Sequence, residues 1–114
     1  MKFKEDDLQK QVAKYLDLKK VLWCHVANER KTSFQAGARL KAKGVKSGVP
    51  DCLIFSKSLN YNGLALELKI KPNKPTDNQL IWLSDLSMLN WKCEVVYTFD
   101  DAKKIIDDYL KNLL

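Results

Sequence analysis

The chain of 114 residues holds one histidine and three cysteines, Cys24, Cys52 and Cys93. A lone His25, with no second histidine or cysteine at ligand spacing, excludes a zinc site of the His/Cys kind. An odd, scattered set of cysteines excludes a disulfide framework. Their positions inside apolar segments predict small core residues in a reducing compartment. Long apolar runs are missing as well. The longest, from Val21 to Ala27, is broken by His25 and falls far short of the ~20 residues a membrane-spanning helix needs, so no membrane partner is expected. The opening Met1-Lys2-Phe3-Lys4-Glu5-Asp6-Asp7 has no apolar stretch behind its lysines, which argues against a secretory signal and for a cytoplasmic location. Repeats, linkers and low-complexity tracts are absent, so residues 1–114 are expected to form one domain. A chain of this size buries roughly two-thirds of its unfolded surface, enough for a core without staples.

Acidic residues are missing from one segment. Between Arg30 and Lys46 stand six basic side chains (Arg30, Lys31, Arg39, Lys41, Lys43 and Lys46) and no acid, in a chain of net charge +6. Lys57, Lys69, Lys71 and Lys74 follow. Such a stretch suits a polyanion such as DNA; taken alone it equally describes a solvated, lysine-rich loop.

What is present reads as alternating helices and strands. Leu8, Val12, Tyr15 and Leu16 recur on one face of a 3.6-residue period, with Glu5, Asp6 and Asp7 at the helix start where acids complement the dipole. Val21 to Ala27 predicts a strand, Ala36 to Lys43 a short helix, Asp51 to Phe55 a second strand and Leu64 to Ile70 a third. The turn-rich residues 56–63 make the last two an antiparallel hairpin. Thr76 and Gln79 have capping-box spacing before a helix whose expected buried face is Leu80, Leu83 and Leu86. Lys92 to Phe99 predicts a fourth strand, and Asp100 or Asp101 opens a final helix carrying Ile105, Ile106, Tyr109, Leu110 and Leu113.

The chemistry concentrates on two of these strands. Gly48-Val49-Pro50-Asp51 is followed, after fifteen residues, by Glu67-Leu68-Lys69. Strand side chains alternate with period two, so Glu67 and Lys69 share a face opposite Leu64, Leu66 and Leu68. Two carboxylates, Asp51 and Glu67, converging beside a packed core call for a cation between them, because desolvating a lone carboxylate costs on the order of several kcal/mol. Asp and Glu around a hard divalent ion, with a lysine alongside, is equipment for phosphodiester hydrolysis. Each residue also has an ordinary role: Asp51 as a turn residue after proline, and Glu67 and Lys69 as a salt bridge worth ~0.5 kcal/mol if exposed.

The order of elements and these residues resemble the VRR-NUC domain family of the PD-(D/E)XK nuclease superfamily. The most specific match is Gly44-Val45-Lys46-Ser47-Gly48-Val49-Pro50-Asp51 with Glu67-Leu68-Lys69. Glu5 with Gln9, His25-Val26-Ala27-Asn28-Glu29, and Gln79 with Trp82 and Leu83 support it. The resemblance implies an α/β restriction-endonuclease-like fold, a central mixed sheet flanked by helices. It also implies bound Mg²⁺ or Mn²⁺ and hydrolysis of DNA to a 3′-hydroxyl and 5′-phosphate, possible selectivity for branched or four-way junction DNA, and a bacterial or phage-infected cell. It makes Asp51 and Glu67 metal ligands with the Leu68 carbonyl as a third oxygen, and Lys69 the catalytic lysine, acting on the attacking water or on phosphate charge. Glu5 is then a further acid, at the metal directly or through water; its ordinary role is that of a helix-start acid. Gln79 is placed near the lysine or the phosphate, in competition with its capping role. His25 stays outside the catalytic set, and Asn28 and Glu29 line the cleft. The same family suggests a homodimer, for which Trp91, Tyr97, Tyr109, Leu110, Leu113 and Leu114 offer apolar surface. The alternative is a nucleic-acid-binding module of this fold without catalysis.

Overall fold

A computed structural model describes residues 4–27 and 33–113. Arg30 and Lys31 of the basic segment, the cleft candidates Asn28 and Glu29, and Leu114 lie outside the described residues. The elements run α1 (Glu5–Lys19), β1 (Trp23–His25), α2 (Phe34–Ala42), β2 (Cys52–Ile54), β3 (Leu64–Leu68), α3 (Asp77–Met88), β4 (Lys92–Val96) and α4 (Phe99–Leu110). Four strands form one sheet in chain order. β1, β2 and β3 pair antiparallel, and β4 joins β3 in parallel. Parallel neighbours need a crossover rather than a tight turn, and α3 supplies it.

β3 is the middle of the molecule, buried along its whole length. Leu64, Leu66 and Leu68 point into a cluster with Leu8, Val12 and Leu16 of α1 and Ala102, Ile106 and Tyr109 of α4. Each fully buried leucine is worth about 1.5–3 kcal/mol over an exposed one, so this layer, more than the three-residue ladders of β1 and β2, fixes where β3 lies. The Tyr15 hydroxyl donates to Asp107 and ties α1 to α4. Ala65, Glu67 and Lys69 alternate to the opposite face, on the side where α3 packs.

Several expectations change. Every strand is shorter than its apolar run. The last helix opens at Phe99, because the Thr98 hydroxyl accepts from the Asp101 N–H at 3.2 Å and takes the cap. Cys24 is exposed, whereas Cys52 is buried; β1 is the sheet's edge and its side chains alternate out of the core. Leu80 is exposed, since α3 turns Gln79, Trp82, Leu83 and Leu86 inward instead. Part of the apolar surface expected near the C-terminus is used within the chain, while Leu113 is exposed. Tyr109 is buried and donates to the Ser56 carbonyl at 2.6 Å, and Leu110 packs on the core. Trp91 lies so close over Gly63 that a Cβ there would sit 2.5 Å from the indole ring.

Candidate active site

Pairing of Cys52 with Leu66 and Leu53 with Ala65 puts Asp51, one residue beyond the ladder, opposite Glu67. In that non-hydrogen-bonded register two Cα atoms approach to about 4.5 Å with side chains on one face. The sheet register thus joins two carboxylates that lie far apart in the chain. Asp51 is buried. Its Oδ2 accepts from the Leu68 N–H at 2.7 Å, which fixes the carboxylate. Its carbonyl accepts from the Val26 N–H at 2.9 Å and lies 2.8 Å from His25 Nδ1. A carbonyl only accepts, so that nitrogen carries the proton. In an extended strand a residue's N–H and C=O leave on one edge, as ladder pairing requires, so Leu68 turns its carbonyl toward Asp51 as well.

Glu67 is the anomaly. It is 1% exposed, and among the described residues neither Oε1 nor Oε2 has a hydrogen-bond partner. Lys69, itself buried, brings its Nζ to 3.7 Å from Oε2. Burial first, then the neighbouring Asp51 charge, pushes the Glu67 carboxyl from 4.5 up to about 8, against the pull of Lys69. Without a cation Glu67 therefore holds a proton at neutral pH.

This has a consequence for stability. Between about 4.5 and 8 the folded protein keeps a proton that the unfolded chain has released, so stability falls as pH rises through that window. In chelator, the melting temperature of the parent relative to Glu67→Gln should drop by several degrees from pH 5 to pH 8. Saturating Mn²⁺ should remove the drop by binding the ionised form. A pH-independent difference in melting temperature would contradict the buried, protonated carboxyl.

A cleft of about 280 Å³ opens beside Asp51, lined also by Glu5, Asp6, Gln9, Lys10 and His25. Glu5 and Gln9 are one turn apart on α1, and the Gln9 amide donates to Cys52 Sγ at 3.5 Å, which fastens the start of α1 to β2. The structure thus brings Asp51, Glu67 and Lys69 together and sets Glu5 in the adjoining cleft. Gln79 has its capping role: its Oε1 accepts from the Thr76 N–H at 2.8 Å, closing the capping box of α3. Arg39 and Lys41 on α2, with Lys43 and Lys46 after it, are exposed. His25 and Gln9 are cleft residues that sequence reasoning did not place there. The signal was the i, i+4 spacing of Glu5 and Gln9, and the pairing of His25 with Cys52, next to Asp51.

A hard divalent cation suits this chemistry. The buried, unsatisfied oxygens of Glu67 beside a second carboxylate are oxygen donors lacking a positive partner. Among the described residues no three His, Cys, Asp or Glu side chains converge as a ligand set. Glu5 therefore does not complete a direct three-carboxylate cage, and the donors at hand are Asp51, Glu67 and the Leu68 carbonyl.

The loop before Asp51 is held against α3. Gly48 has φ +86, and a Cβ on it would lie 2.7 Å from the backbone carbon of Asn78. The Asn78 amide donates to Ser47 Oγ at 2.9 Å. Only glycine lets the chain pass this close before Pro50 turns it into β2.

Comparison with known proteins follows the same lines. The VRR-NUC domain model matches residues 3–100. A solved structure titled "VRR_NUC domain protein" superposes with a TM-score of 0.75 at 23% identity, covering 98% of this chain and 92% of that one. A second, titled "VRR_NUC domain", gives 0.59 at 23% identity, over 92% and 96%. A search of curated proteins finds no match. At this identity the two structures speak for the fold, a mixed sheet flanked by helices, and the match over residues 3–100 speaks for the family. With Asp51, Glu67 and Lys69 gathered on one sheet face, the chain belongs to the VRR-NUC domain family, a nuclease-type family with a nuclease or DNA-binding role.

Proposed function

We propose that this protein is a Mg²⁺- or Mn²⁺-dependent endodeoxyribonuclease. The observation that carries the reading is the buried Glu67, whose two oxygens lack hydrogen bonds while Asp51 and Lys69 stand beside it. Asp51, Glu67 and the Leu68 carbonyl would hold the ion, and Glu5, in the adjoining cleft, would reach it through water. When bound, the ion supplies Lewis-acid polarisation of the phosphate and lowers the pKa of nearby water. The Leu68 N–H keeps the Asp51 carboxylate in one orientation. Lys69 offsets the charge that builds on the phosphate oxygens. Water adds to phosphorus and the P–O3′ bond breaks. The proton lost by water is balanced by one gained at the 3′ oxygen, leaving a 3′-hydroxyl and a 5′-phosphate.

Arg39, Lys41, Lys43 and Lys46 would run along the phosphate backbone. Cutting both strands of a duplex, or two strands of a four-way junction, takes two such sites, so the reading includes a homodimer. Labelled linear, flap and four-way-junction DNA, incubated with Mg²⁺, Mn²⁺ or EDTA, tests it: cleavage with metal and none in EDTA is expected. Tight binding with no cleavage in any metal would favour the silent binding module instead. Binding measured in EDTA should fall with salt at a log–log slope of about −3 to −4, from roughly four phosphate contacts. Changing Arg39, Lys41 and Lys43 together to Ala should flatten that slope; an unchanged slope would place the DNA elsewhere.

A further inference from the structure

We infer that Lys71, held over the ring of Tyr97, is a substrate contact that grips the DNA phosphate next to the one being cut. Tyr97 is its positioning residue. This rests on the nuclease reading above and adds to it the side of the site on which the strand continues.

The sheet register places the pair. Leu68 of β3 stands opposite Val96 of β4, and the Lys69 N–H donates to the Val96 carbonyl at 2.9 Å. The parallel ladder thus runs one step further, with Tyr97 beside Lys69. Alternation gives the face. Val96 packs in the core with the β3 leucines, so Tyr97 turns to the side that carries Glu67 and Lys69. Adjacent strands lie about 4.8 Å apart, which makes this half-buried phenol the next group across the sheet from the lysine of the site. Lys71 follows two residues after Lys69. Its Nζ is 5.9 Å from the centroid of the Tyr97 ring, within the distance at which a ring attracts a cation.

Charge says what a cation held there would meet. Lys71 is exposed, and among the described residues no carboxylate forms an ion pair with it. The first acids after Tyr97, Asp100 and Asp101, open α4, which packs on the leucine face and so lies behind the sheet. A ring, and not an acid, therefore keeps the ammonium in place, and its charge stays available to a phosphate. A turn closed by the Asn73 N–H on the Ile70 carbonyl at 2.9 Å holds Lys71 at the end of the sheet. The two flanks of the site differ in sign. Glu5, Asp6 and Asp51 line the cleft on the α1 side, with Lys10, whereas Lys69 and Lys71 face the β4 side. A polyanion crossing the site is favoured on the β4 flank.

DNA carrying one neutral methylphosphonate linkage, moved phosphate by phosphate around the cut, tests this in Mn²⁺. In the parent, one linkage adjoining the cut should lower kcat/KM by about ten-fold, the effect of losing a hydrogen bond to a charged group. Lys71→Ala should lose about as much on ordinary DNA, through KM and not kcat, and should be indifferent to that linkage, because both changes remove one contact. Lys71→Arg should restore most of the loss. Tyr97→Leu should lose several-fold alone and nothing more in a Lys71→Ala background, while Tyr97→Phe, which keeps the ring, should match the parent. Lys104→Ala on α4 is the control for a solvated lysine and should also match it. Additive losses from Lys71→Ala and the neutral linkage, or a Lys71→Ala protein equal to Lys104→Ala, would overturn the proposal. DNA affinity in EDTA should fall in Lys71→Ala as well, and an unchanged affinity would overturn the contact even where nothing is cut. Affinity does not depend on cleavage, so failure of the nuclease reading and failure of this contact are told apart.

Discussion

Asp51→Asn and Glu67→Gln should each lower metal-supported cleavage by about 10³-fold or more, with DNA binding in EDTA within a few-fold of the parent. Each amide keeps the shape of the side chain and removes the charge that holds a cation. The two variants should differ in stability. Asp51 accepts a 2.7 Å bond from the Leu68 N–H, and in Asp51→Asn a rotated side-chain amide would set an N–H against that donor. Glu67 is buried and its carboxyl is pushed up to about 8, so Glu67→Gln should melt at or above the parent in chelator near pH 8, where the ionised carboxylate is least comfortable. Lys69→Ala should also lose activity by about 10²-fold or more, in the range of a lost electrostatic stabiliser, while calorimetry still detects Mn²⁺. If purified Glu67→Gln cut DNA at the parent rate, the site would lie elsewhere.

Gly48→Ala should cost stability and activity together. A Cβ at this position would sit 2.7 Å from the Asn78 backbone carbon and 2.8 Å from its carbonyl oxygen. Neither is a flexible end that can swing away. Overpacking of this kind costs about 1–3 kcal/mol, and the left-handed φ adds roughly 1 kcal/mol for a residue with a Cβ. If the loop instead yields, it moves the entry of Asp51 into β2. Gly44→Ala is the control: its φ of +100 brings the conformational cost, but nothing lies within 4 Å. Thermal unfolding and cleavage rate together should rank Gly48→Ala well below Gly44→Ala. Equal effects would mean that the contact with α3 does not position the site.

The sequence made some of this legible because the information is local. The period of Leu8, Val12 and Leu16 announces α1, and the alternation of Glu67 and Lys69 against three leucines announces the strand and its charged face. Thr76 with Gln79 announces a helix start, and the structure gives that Gln to its own cap. Other features depend on register, which no local pattern carries. His25 reads as an ordinary strand histidine until β1 is paired with β2, after which it stands beside Asp51. Gln9 enters the cleft only because α1 is packed so that its first two turns overhang β2. The tryptophan at 91 is committed to Gly63, far back along the chain, so its apolar surface is spent inside the chain. α3 is the converse, since Leu80 looked like core and faces outward.

The carboxylate, carbonyl and lysine of the proposed chemistry, Glu67, Leu68 and Lys69, sit at the end of β3 and just after it, on the strand whose leucines the core packs against. The rim of the cleft comes from elsewhere, from Glu5, Gln9 and Lys10 on a surface helix. Floor and rim therefore differ in how freely they can change. A substitution in Glu67, Leu68 or Lys69 is tested at once by folding and by function. One at Lys10 is tested by function alone. Descendants of this chain could explore new nucleic-acid shapes residue by residue along the rim while inheriting their bond-breaking step as a fixed block, diversifying in what they grip and not in what they do to it.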